Sequence, residues 1–134
     1  MIDTRNPLRP FAREAVYALT AGESKSLDRS AIETVGVPQS VLMENAGRSA
    51  AQITQCLFPE GPVVGIVGSG NNGGDALVLL RTLRAWGRKV KAVLVAERAM
   101  DDPLLHDWDI PVIMDEALDQ SGWDALLGSC GVAI

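Results

Sequence analysis

At 134 residues, 47% hydrophobic and 22% charged, the chain suits one globular domain with a single core and excludes a disordered polymer. Its net charge of −5 argues against nucleic acid as a partner, since phosphate backbones reward clustered Lys and Arg. No apolar run approaches the roughly 20 residues that span a bilayer, and Met1–Phe11 lacks the apolar stretch of a secretory signal, so no membrane partner and a cytoplasmic location are expected.

Residues 1–18, punctuated by Pro7 and Pro10, read as an arm with a helical turn around Ala12–Ala18; residues 19–134 form the domain. Thr20-Ala21-Gly22-Glu23 fits a capping box, and Leu27, Ala31, Ile32 and Val35 follow on one face of a helix ending near Gly36. Pro38 and Ser40 open a second helix, with Leu42, Met43, Ala46, Ala50, Ile53 and Leu57 at helical spacing until Pro59, Gly61 and Pro62 stop it. Val63–Val67 is a β-branched run suited to a buried parallel strand. A Gly-rich loop follows, then a helix with Asp75 at its N-terminus, an inward stripe of Leu79, Leu80, Leu83 and Trp86, and a stop at Gly87. Val90–Ala96 completes a right-handed βαβ unit. Met100, Leu104, Leu105 and Trp108 suggest two helical turns within Glu97–Ile110. Two further strands are expected, Pro111–Met114 and Trp123–Leu127, joined by a turn or short helix over Asp115–Ser121. A parallel sheet needs both faces covered, so at Ile134 this end looks unfinished.

The loop Gly68-Ser69-Gly70-Asn71-Asn72-Gly73-Gly74-Asp75 carries the chemistry. Gly68-x-Gly70-x-x-Gly73 between a strand and a helix matches the dinucleotide fingerprint, in which amides at a helix N-terminus face an anion. Glu97 sits near where a ribose-binding carboxylate is expected. Pyrophosphate needs only amides, so Asn71, Asn72 and Asp75 add something else: oxygens and donors for a polar ring, a hydroxyl or a hard cation. The plainer alternative is local, with the Asn pair in a turn and Asp75 as a helix cap. Asp124, on or beside an apolar strand next to Val63–Val67, is expected to open onto the same crevice, with Gly128 and Gly131 marking a second close-approach loop. Arg81, Arg84, Arg88, Lys89 and Lys91 read as a solvated helix face and strand entry. His106 and Asp101-Asp102 read as surface groups, and Cys56 and Cys130 as packing residues without disulfide or metal spacing.

Leu19-Thr20-Ala21, Val41-Leu42-Met43-Glu44-Asn45-Ala46-Gly47-Arg48 and Val67 to Leu77, in this order, resemble the YjeF N-terminal domain family, the NAD(P)HX epimerases. The resemblance runs from about Tyr17 to Gly131. It implies a Rossmann-like three-layer α/β/α sandwich, often dimeric, that interconverts the R and S epimers of hydrated NADH or NADPH. It also implies a fused or separate dehydratase that completes the repair. On this resemblance Asn71, Asn72, Gly73, Gly74 and Asp75 contact the substrate (NADHX or NADPHX). Gly128, Ser129, Cys130 and Gly131 begin a second ligand loop, while Asn72 and Asp124 bind K+. The chain departs from the family in three places. Cys130 stands where a glycine is usual, the Glu97–Ile110 connection is short, and the strand carrying the family's catalytic Asp lies beyond Ile134. The resemblance thus implies a truncated chain or a degenerate relative. Two other readings compete: a binding module without chemistry, and half of an NAD-dependent oxidoreductase, which leaves Asn71 and Asn72 unexplained.

Overall fold

The computed structural model describes residues 19–99, 101–106 and 108–134; the N-terminal arm and its helical turn lie outside the described residues. Helix α1 (Ala21–Glu33) begins with the capping box read from the sequence. Thr20 Oγ1 accepts the Glu23 N–H at 3.3 Å, and Glu23 Oε2 accepts the Thr20 N–H at 2.8 Å. The Thr20 N–H and the Thr20 hydroxyl, both donating to Glu23 Oε2, hold the Glu23 carboxyl below its ordinary pKa, the amide contributing most. Gly36 follows at φ +80°. The helix buries none of its residues: Leu27 is 61% exposed, and Val35, expected on the same face, lies past its end at 72%.

Helix α2 (Gln39–Leu57) packs along α3 (Asn71–Ala85) through Gly47, Ala51 and Thr54. A Cβ on Gly47 would stand 2.4 Å from Val78 Cβ and 2.7 Å from the Asp75 carbonyl oxygen, so only glycine permits this approach. Strands β1 (Val63–Val67), β2 (Val90–Leu94), β3 (Val112–Met114) and β4 (Val132–Ala133) form one parallel sheet in the order β3-β2-β1-β4. Val63, Val67, Ala92 and Leu94 pack in one buried cluster with Leu77, Leu80 and Leu83 of α3. Val64 and Val93 instead meet Leu126 and Trp123 of α4 (Gln120–Gly128). The result is the expected α/β/α sandwich, with α2 and α3 on one side of the sheet and α4 on the other.

Several expectations need correction. Trp123–Leu127 is not a strand but the body of α4. Asp119 Oδ1 caps that helix by accepting the Gly122 N–H at 2.8 Å, and Trp123 and Leu126, three residues apart, share its inward face. A five-residue apolar run does not distinguish strand from buried helix by period alone. The strand beside β1 is Val132–Ala133 instead.

The Glu97–Ile110 link contains turns and no helix among its described residues. Helix α3 starts at Asn71, with Gly70 as N-cap, which puts Asp75 in the second turn and excludes a capping role for it. Trp86 closes α3 at 49% exposure and does not belong to the inward stripe.

The basic segment is not merely solvated. Arg88 donates to the carbonyls of Phe58, Glu60 and Gly61 and to Gln55 Oε1, tying off the end of α2. Arg81 pairs with Glu44 and lies 4.5 Å above the Trp108 ring.

Replacing Gly47 with Ala should overpack the α2–α3 contact and cost about 1–3 kcal/mol. A urea midpoint lowered without a change in slope would confirm it, and an unchanged midpoint would show that the helices can separate freely.

Candidate functional site

Strand β1 delivers Gly68 at its C-terminal end, and the chain turns through Ser69 and Gly70 into α3. The Gly74 N–H donates to the Gly70 carbonyl at 3.1 Å, closing the first helical turn. This turn is tight: a Cβ on Gly73 would stand 2.0 Å from the Gly68 carbonyl oxygen, and one on Gly74 2.6 Å from Met43 Sδ. Both glycines are therefore fixed by packing as well as by any ligand.

The chain runs from β1 to β2 to β3 in one direction, then crosses to β4 on the other side of β1. Ligands of doubly wound sheets bind where the strand order reverses in this way, beyond the strand C-termini. A crevice of about 590 Å³ lies there, lined by Ile66, Gly68, Gly70, Asn72, Gly73 and Ile134, with Asn71 at its edge.

The expected site residues divide between two cavities. Asn72 and Gly73 face the crevice. Asp75 lines a separate space of about 130 Å³ with Asp28, Ile32, Gln39, Leu42 and Met43, between α1, α2 and α3. Asn71 borders both, and its Oδ1 accepts from Gln39 Nε2 at 3.1 Å. Partial burial pushes the Asp75 carboxyl above its ordinary pKa, and the like charge of Asp28 adds to the effect.

The remaining expected residues lie elsewhere. Asp124 is exposed on α4, where its Oδ1 accepts from Gln120 Nε2 at 2.9 Å. Gly128, Ser129, Cys130 and Gly131 precede β4 and so occupy the end of the sheet opposite the crevice. The Gly131 N–H donates to the Pro62 carbonyl at 2.7 Å, just before β1. Ser129 Oγ donates to the Leu126 carbonyl, and Cys130 Sγ to that of Leu127. Asn72 lines the crevice and Asp124 is not among its lining residues. No group of three or more His, Cys, Asp or Glu suited to a metal occurs among the described residues.

Sequence reasoning missed Arg98 and Asp102. The Arg98 side chain, 9% exposed, reaches the Gly68 carbonyl at 2.9 Å, while Asp102, expected to be solvated, is 16% exposed and pairs with it at 2.6 Å. Their i,i+4 spacing was the available signal.

A parallel α/β sandwich with a Gly-rich turn at its switch point is the architecture of a nucleotide-binding domain. The chain belongs to the family described as YjeF-related protein N-terminus, whose model matches residues 39–122. It is 41% identical over 78 residues to the NAD(P)H-hydrate epimerase of Rhodopirellula baltica, covering 58% of this chain and 32% of that relative. It is 31% identical over 109 residues to the NAD(P)H-hydrate epimerase of Limosilactobacillus fermentum, covering 75% and 52%. With the bifunctional NAD(P)H-hydrate repair enzyme Nnr of Salinibacter ruber it shares 43% identity over 93 residues, covering 66% and 17%. The crystal structure of yeast ynu0 superposes with a TM-score of 0.69 at 26% identity, over 84% of this chain and 51% of that one. The chain thus spans about half the length of the Limosilactobacillus relative and less of the other two.

The raised Asp75 pKa has a testable sign. Between its unfolded and folded pKa values the native state binds more protons, so stability falls as pH rises through that window and then levels off. Asp75→Asn lacks this penalty. Its advantage over the wild type in urea unfolding should grow from about pH 4 upward and then reach a plateau. Parallel pH curves for the two proteins would show that the carboxyl titrates normally.

Proposed function

We propose that the protein containing this chain is an NAD(P)H-hydrate epimerase that interconverts the R and S epimers of NADHX and NADPHX. The observation carrying this reading is the Gly-rich turn with Asn72 at the switch point, inside the stretch that matches the family. Amides at the start of α3 suit the pyrophosphate. Asn72, at the crevice, offers an amide oxygen and amide donors to the hydrated ring or a ribose hydroxyl. Gly73, at the crevice, lets the backbone come close, while Gly74 makes room for Met43 of α2. Asp75, behind the turn, lines the space between α1, α2 and α3.

Epimerisation at the hydrated carbon opens that centre and re-forms it on the other face, with no net redox change. It needs positioned acid–base groups. Asn72 supplies oxygen chemistry that suits K+. Asp124 stands on a helix away from it, so no step is routed through an ion held by that pair. Relatives named as bifunctional repair enzymes favour a dehydratase, in the same polypeptide or separate, as the partner that consumes the product. We place the activity in the cytoplasm, where nicotinamide cofactors turn over, and a homodimer is the expected assembly.

The test follows the two separated epimers of NADHX in the presence of the full-length protein. Equilibration should be accelerated, and Asn72→Ala should raise KM by about tenfold, the cost of roughly one strong hydrogen bond. Asp124→Ala should leave kcat and KM within about twofold, since surface substitutions away from a site change little. Equilibration no faster than in buffer would sink the proposal.

A further inference from the structure

We propose that Arg98, locked by Asp102, is the positioning residue that aims the amides of the Gly68–Asn71 turn into the crevice. Its Nη1 donates to the Gly68 carbonyl at 2.9 Å and lies 3.4 Å from the Gly70 carbonyl. Nε and Nη2 donate to Asp102 Oδ2 at 3.0 and 2.6 Å. The other Asp102 oxygen, Oδ1, accepts the Leu104 N–H at 2.9 Å. The guanidinium is therefore spent on acceptors behind the turn, and its charge is balanced by a carboxylate that is itself held.

Peptide planarity gives this contact a consequence on the opposite side. No peptide bond among the described residues is cis. In a trans peptide the C=O of one residue and the N–H of the next point in opposite directions. Drawing the Gly68 and Gly70 carbonyls back toward Arg98 turns the Ser69 and Asn71 amides forward, away from the guanidinium. These are the amides that an anionic ligand in the crevice would meet. Gly73 belongs to the same arrangement, because a Cβ there would stand 3.1 Å from Arg98 Nη1 as well as against the Gly68 carbonyl. A lysine could not replace the clamp, since one ammonium lacks the planar fork that reaches a carboxylate and a carbonyl together.

This inference rests on the ligand reading above, but it can fail separately. In the full-length protein, Arg98→Ala should speed hydrogen exchange at least tenfold at Gly74, whose N–H is held by the Gly70 carbonyl at the close of this turn, while leaving β2 and α2 unchanged. ADP-ribose, titrated by calorimetry, should bind about tenfold more weakly. KM for NADHX should rise by a similar factor with kcat within about threefold. Arg98→Lys should resemble Arg98→Ala in all three readouts. Asp102→Asn, which keeps the side-chain shape, should loosen the turn in the same way and serves if Arg98→Ala fails to fold. Unchanged exchange in the turn, or wild-type ADP-ribose affinity in the lysine variant, would overturn the clamp. If the wild type neither binds ADP-ribose nor equilibrates the epimers, the functional reading fails, and the exchange comparison still decides the clamp.

Discussion

The contact on which this fold depends is the approach of Gly73 to the Gly68 carbonyl, where an added Cβ would stand 2.0 Å from the oxygen. It forces α3 to begin within one turn of the end of β1, at Asn71. With that start fixed, Leu77, Leu80 and Leu83 fall on the sheet-facing side of the helix, over Val63 and Val67. Gly74 is brought under Met43, and Val78 against Gly47. One close approach thus sets the register of α3 against both the sheet and α2. A side chain at Gly73 would move the helix and disturb its contacts with the sheet and with α2 together.

The same constraint divides the Asn71–Asp75 segment between two surroundings. A helix turns about 100° per residue, so five consecutive residues at its start cannot all face one ligand. Asn72 and Gly73 look into the crevice, while Asp75 looks toward α1 and α2, beside Asp28. Asn71 lies between, tethered to Gln39 at the start of α2. A string of polar residues that looks like one binding loop is, in space, a binding edge and a packing edge. The raised pKa of Asp75 belongs to the packing edge.

What could be read from the sequence follows from how local each signal is. The β1–α3–β2 unit was legible because β-branched strands, the Gly-rich turn and Gly87 all act within a few residues of where they lie. The capping box of α1 was legible for the same reason. Asp124-Ala125-Leu126-Leu127-Gly128 misled because five apolar-rich letters fit a strand end as well as they fit α4. The cap that decides the matter, Asp119, lies before them. Arg98 was obscured because its partners at Gly68 and Gly70 are about thirty residues away, and no periodicity reports a contact of that range. Arg88 was misread on the same ground, since the carbonyls it ties are brought to it only when α2 meets the end of α3.

Strand polarity settles which loops can share a ligand. In a parallel sheet, residues that follow a strand and residues that precede one are at opposite edges, separated by the strand's length. Gly68–Asn72 follows β1, and Ile134 follows β4, so both reach the crevice. Gly128–Gly131 precedes β4 and meets Glu60, Gly61 and Pro62, which precede β1. No local rearrangement carries it to the other edge, because the pairing of Val63 with Val132 would have to slip by the whole strand. Among the described residues the crevice is lined from the segments that leave β1 and β4, and Arg98, from the segment that leaves β2, holds the Gly68 carbonyl of the first.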